Sequence, residues 1–143
     1  MRRPLDSPVL DTASRLLTPF IITFAAYVVA HGHLSPGGGF QGGILLAAVL
    51  ILVRLVRQDR TWGLSPRAAL MTACAGVALY AATGFAALAF GGRFLDYGVL
   101  PLPLESAAIR AAGSLTIEIG VGLGVMGVMA LIFEALAGPL GDA

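Results

Sequence analysis

Apolar residues gather in four long runs separated by short polar connections. A bilayer core about 30 Å thick needs about 20 apolar residues in a helix, and each run meets or approaches that length. The first, Leu16 to Ala30, is short by itself. Ser7 followed by Pro8 reads as a helix N-cap and first-turn pair, so a longer helix can begin near the surface with Asp11 and Arg15 at its wet end. Pro19 is a point where it can bend. The second run, Gly37 to Val56, has Gln41 as its only strongly polar residue before Arg54, and the third, Ala68 to Phe90, carries no charge. The fourth, Ala111 to Leu136, is apolar except for Ser114, Thr116, Glu118 and Glu134. The pattern predicts an all-α protein, an integral membrane bundle of four transmembrane helices, forming a single domain over residues 1–143.

The connections carry the orientation signal. Arg2, Arg3 and Arg15 flank the start of the first run, and Arg54, Arg57, Arg60 and Arg67 crowd the second connection. Only Arg93 and Arg110 mark the third, and the first has none. Short cytoplasmic loops are enriched in positive charge, which predicts a multi-pass protein with both termini in the cytoplasm. Asp6 and Asp11 precede the first run, unlike a cleaved signal peptide, so that run is expected to stay as an anchor. Residues 91–110, with Tyr97, Pro101 and Pro103, are expected to lie as an ordered loop against the membrane surface or a neighbouring subunit.

Composition agrees with the pattern and narrows it. Of 143 residues, 57% are hydrophobic and 12% charged, with a mean hydropathy of +0.88; a soluble domain is about 25% charged. A water-soluble fold of this size could not hide that much apolar surface. The 19 glycines would weaken soluble helices but let membrane helices approach closely. The single cysteine, Cys74, excludes an intramolecular disulfide and a thiolate metal cluster. There is no room for a separate catalytic domain, and no nucleophile, base and orienter constellation, so an independent enzyme is not expected.

Three features can carry chemistry. The stretch His31 to Gly43, HGHLSPGGGFQGG, joins the first two runs. Gly37, Gly38 and Gly39 each cost a helix about 1 kcal/mol relative to alanine, so another requirement must hold them. One reading is a tight turn entering the membrane, with Gly42 and Gly43 letting the second helix touch another backbone; a phosphate loop is disfavoured because no Lys-Ser or Lys-Thr follows. Histidine is the side chain suited to passing protons near neutral pH, so His31 and His33 are candidates for a pathway mouth, or for structuring the loop; with no cysteine or carboxylate cluster nearby they make a poor metal site. Glu118 lies inside the fourth run, where a carboxylate is expensive and normally faces the bundle interior, a partner subunit or a water-filled path. Its alternative is a hydrogen-bonded interface residue with no transported ion. Ser114, one turn earlier, shares its face and is a candidate hydrogen-bond partner. Gly120, Gly124 and Gly127 form a small-residue stripe that reads as a helix-packing surface, within the chain or against another subunit.

The segment Gly32-His33-Leu34-Ser35-Pro36-Gly37-Gly38-Gly39-Phe40-Gln41-Gly42-Gly43 resembles the hallmark of the B subunit of Mrp-type (Mnh or Pha) multisubunit cation/proton antiporters. The four-span pattern and the final-helix stretch Thr116-Ile117-Glu118-Ile119-Gly120-Val121 extend that resemblance over most of the chain. The resemblance implies a small subunit required for exchange of sodium, and often lithium, against protons, without a cofactor of its own. It implies other antiporter subunits and membrane lipids as partners and no nucleic acid. On it, Glu118, Thr116, His31 and His33 stand as ion or proton pathway candidates, and Pro36 to Gly43 as a structural glycine loop. Related subunits occur in membrane-bound hydrogenase-type complexes, which remain an alternative setting, as does a purely structural membrane scaffold.

Overall fold

The computed structural model describes residues 7–32, 37–57 and 64–137. Four helices hold nearly all of them: α1 (Pro8–Ala30), α2 (Gly38–Arg57), α3 (Pro66–Ala89) and α4 (Ser106–Ala137). All four are long and apolar enough to cross a membrane. The helix starts follow local chemistry. Ser7 is the N-cap of α1 and Pro8 its first residue, although the Ser7 side chain makes no cap hydrogen bond. Ser65 caps α3 with its hydroxyl accepting from the Ala68 amide at 3.2 Å, again ahead of a proline. α1 runs unbroken through Pro19, whose carbonyl accepts from the Thr23 hydroxyl at 2.8 Å.

The helices stand in the spatial order α1, α2, α4, α3. α2 packs on α1 and α4, and α4 packs on α2 and α3; among the described residues no contact joins α3 to α1 or α2. The four spans therefore form an open row around a central α2–α4 pair rather than a closed ring. Facing residues set the directions. Gly39 lies at Glu118, Gly43 at Gly122 and Arg54 at Glu134, so α2 and α4 run parallel. Gly76 meets Gly120 and Gly124 while Ala69 and Ala73 meet Gly127, so α3 is antiparallel to α4.

What fills these contacts is small. The buried apolar residues are mainly alanines and valines, among them Ala25, Ala47, Val49, Ala69 and Ala87, and among the described residues no large side chain is fully buried. The expected stripe finds its partner within the chain: a β-carbon on Gly127 would lie 2.6 Å from the Ala69 carbonyl oxygen, and one on Gly120 would lie 3.0 Å from that of Gly76. Where lipid tails are as apolar as leucine, close backbone approach supplies the attraction between helices. The bulky side chains point outward instead, Phe20, Phe24, Met71 and Phe85 all being more than half exposed.

The connection between α3 and α4 is ordered and folds back onto its own chain. Phe94 fills the space over Gly84 and stands 5.8 Å and 6.2 Å, ring centre to ring centre, from Phe85 and Tyr80. Tyr97, opening a single 3-10 turn (Tyr97–Val99), covers Gly113 of α4. The turns that bring these rings inward use positive φ at Gly91 (81°) and at Leu95 (66°).

A candidate site where α1, α2 and α4 meet

The site is built around the first turn of α2. Gly37 accepts the first helical hydrogen bond, from the Gln41 amide at 2.9 Å, which makes it the N-cap. Its φ of 91° is the conformation that only glycine adopts freely. A glycine N-cap has no side chain to bind the orphan amides of the first turn. That role is filled from another helix: the Gly39 N–H donates to the Glu118 carboxylate oxygen Oε2. Glu118 is half-buried and lies about 18 Å along α4 from Ser106. The α2 N-terminus, carrying roughly half a positive elementary charge, is what a carboxylate requires in an apolar setting.

The glycines around it let the backbones close in. A β-carbon on Gly38 would strike the Gly32 Cα, and one on Gly39 would strike the Glu118 carbonyl oxygen. One on Gly32 would lie 3.0 Å from the Glu118 carboxyl carbon. The last turn of α1, the first turn of α2 and the Glu118 carboxylate thus share one small volume. A turn further on, Gly42 faces Ala25 and Val29 of α1, and Gly43 faces Gly122 and Val125 of α4. Gly38 and Gly42 form one stripe against α1, Gly39 and Gly43 a second against α4. Phe40 and Gln41 fall between them on the exposed face.

The remaining candidates divide. His31 caps the end of α1, exposed, with its Nδ1 3.0 Å from the Tyr27 carbonyl oxygen and its ring stacked 4.1 Å from that of Tyr27. A carbonyl only accepts, so Nδ1 carries a proton. Thr116, two residues from Glu118 and so on another face of α4, donates to the Ala112 carbonyl at 2.8 Å. Ser114 makes no hydrogen bond to Glu118 among the described residues; the carboxylate turns to α2 instead. His33 and Pro36 lie outside the described residues.

A second polar link has almost no signature in the sequence. Arg54 Nε donates to Glu134 Oε1 at 3.0 Å, both side chains about one-fifth exposed, tying the far ends of α2 and α4. Leu50, Ile51, Leu64, Ala130 and Phe133 line the hollow around the pair. The only hint along the chain is one charge of each sign near the ends of two apolar runs.

Fold and site together define a multi-pass membrane protein whose two inner helices are joined by a carboxylate inside a spanning helix. The chain belongs to the family described as the domain related to the MnhB subunit of Na+/H+ antiporter, whose model matches residues 9–131. It is 31% identical over 131 residues to the B subunit of the Na(+)/H(+) antiporter of Bacillus subtilis (strain 168), covering 90% of this chain and 91% of that protein. Against the corresponding B subunit of the Na(+)/H(+) antiporter of Alkalihalophilus pseudofirmus it is 30% identical over 134 residues, with 90% and 91% covered. A putative antiporter subunit mnhB2 of Staphylococcus aureus (strain MRSA252) is 28% identical over 132 residues, with 91% and 94% covered.

Proposed function

We propose that this chain is the B-type subunit of a multisubunit Na+/H+ antiporter, a transporter component and not an enzyme, and that Glu118 places it on the ion path. The family match supports the first half. One observation carries the second: a half-buried carboxylate inside a spanning helix, held by a backbone amide at the start of a neighbouring helix. Ionisable groups in spanning helices are costly and mark ion or proton routes. His31, on the turn beside Gly32, stands at the same end of the row. The partners of this reading are the other antiporter subunits, with Na+ and H+ as the ions of the complex, in a cell membrane with both termini cytoplasmic.

The test is Glu118→Gln in the complete complex, assayed in everted vesicles for Na+-driven collapse of a pH gradient. Glutamine keeps the volume and an acceptor oxygen for the Gly39 amide, so the complex should still co-purify. Exchange should fall to the level of vesicles without the complex. Full exchange in an assembled variant would remove Glu118 from the path.

A further inference from the structure

We propose that residues 99–104, in the connection between α3 and α4, form a strap that lies in the lipid headgroup layer and touches the bilayer directly. Val99, Leu100, Pro101, Leu102, Pro103 and Leu104 are six apolar residues in a row outside the four spanning helices. They are not turned inward: Leu102 is 46% exposed and Leu104 55%. Irregular backbone is ordinarily kept out of apolar surroundings because its N–H groups would go unsatisfied. Here that obstacle is removed within the strap itself. The Val99 N–H donates to the Asp96 carbonyl at 3.3 Å and the Leu100 N–H to that of Tyr97 at 3.2 Å. The Leu102 N–H donates to the Leu100 carbonyl and the Leu104 N–H to that of Leu102, both at 2.8 Å. Pro101 and Pro103 have no N–H to satisfy. Every amide donor from 99 to 104 is thus either bonded or missing, while apolar side chains face outward.

The height of the strap follows from α4. The Arg54–Glu134 pair marks one edge of the hydrocarbon core. About 20 residues of helix cross that core, and counting them along α4 from Glu134 leads to Ser114, next to the Gly113 that Tyr97 covers. From Gly113, α4 rises about 10 Å further to its first residue, Ser106, through a headgroup layer about 5–8 Å deep. The strap runs between these two heights, from the turn opened by Tyr97 to the start of α4. Exposed Arg93, Asp96, Glu105 and Arg110 bracket it. The carbonyls of Pro101 and Pro103 accept no bond among the described residues, so the strap needs donors that a hydrated headgroup layer supplies and acyl chains lack. That layer also keeps its side chains within reach of water-borne reagents on their own side of the membrane. A neighbouring subunit suits the strap less well. Strand addition, by which a protein takes up an extended segment, draws on free backbone N–H groups, and the strap has none to give.

Fluorescence quenching in the complete complex, reconstituted in lipid nanodiscs, tests this. A fluorescent dye is attached to Leu104→Cys in a complex otherwise free of cysteine, Cys74→Ser included. The nanodiscs carry either a lipid spin-labelled on its headgroup or one spin-labelled near the end of an acyl chain. The headgroup label should remove most of the emission and the acyl-end label little of it. A dye on Val99→Cys, the other exposed end of the strap, should behave in the same way, so a failure to assemble at one position leaves the other to decide. Quenching by neither label overturns the proposal, whether another subunit then covers the strap or it stands clear in water. Stronger quenching by the acyl-end label overturns it as well, because it places the strap inside the core.

Discussion

Replacing Gly39 by alanine probes the contact on which the site depends. The added β-carbon would sit on the carbonyl oxygen of Glu118, 2.8 Å from its carbonyl carbon and 2.6 Å from Oε2. The first two are backbone atoms of α4 and cannot swing away, so α2 must retreat. Retreat costs about 1–3 kcal/mol as overpacking and strips the charge-assisted bond, worth about 1.5–3 kcal/mol. These overlap, since one displacement does both, and alanine returns about 0.5–1 kcal/mol of helix preference. The net expectation is a loss of about 2–4 kcal/mol, localised where α1, α2 and α4 meet. Gly124→Ala is the internal control: it is the same substitution on α4, but its β-carbon would meet nothing within 4 Å, so it should be neutral or stabilising by up to about 1 kcal/mol. The assay is the fraction of intact complex surviving a heating series, read by size exclusion in detergent. Gly39→Ala should lower the midpoint and Gly124→Ala should not. Equal losses from both, or an unchanged midpoint for Gly39→Ala, would refute the close-approach reasoning.

Gly37→Ala should cost about 1–2 kcal/mol for a different reason, its φ of 91°, since only Gln41 Nε2 comes near, at 3.8 Å; the same heating series should place it between the other two. Arg54→Ala should destabilise by about 1–3 kcal/mol, because it takes the Arg54 guanidinium from a Glu134 carboxylate that is about one-fifth exposed, and the exchanged pair Arg54→Glu with Glu134→Arg should recover part of that loss in the same assay. For topology, in a Cys74→Ser background, Leu102→Cys lies in the exposed connection between α3 and α4 and should react with an impermeant maleimide added outside; reaction from the cytoplasmic side alone would invert the orientation.

The spans were legible because each membrane helix must satisfy its own backbone, so hydropathy and length alone locate it. Helix ends were less so. Ser7-Pro8 announced the start of α1, but α4 begins at Ser106, ahead of the run at Ala111, and this extra turn and a half buries Ile109 while Arg110 stays exposed. The spatial order of the helices was not legible, since the runs are all apolar and nothing in one run names its partner. The Glu118 partner shows the limit most clearly. Helical spacing offered Ser114, four residues away, whereas the bond goes to an amide 79 residues away. The Arg54–Glu134 pair, 80 residues apart, was hidden in the same way.

Two features that look unrelated along the chain explain each other in the fold. A run of three glycines opening a membrane helix leaves bare amide groups with no side chain to bind them, and unsatisfied backbone in an apolar medium costs several kcal/mol. A carboxylate in a spanning helix carries the opposite deficit, an acceptor with nothing to accept from. Joined, each removes the other's cost, and Gly38 and Gly39 are required at their positions because a β-carbon on either would hold the partners apart. It follows that the two should fail together and not add. Once Gly39→Ala has pushed α2 away, Glu118→Gln has little left to weaken, so the stability loss of the double variant should fall well short of the sum of the single losses. Strict additivity would mean that the amide and the carboxylate do not act as a pair.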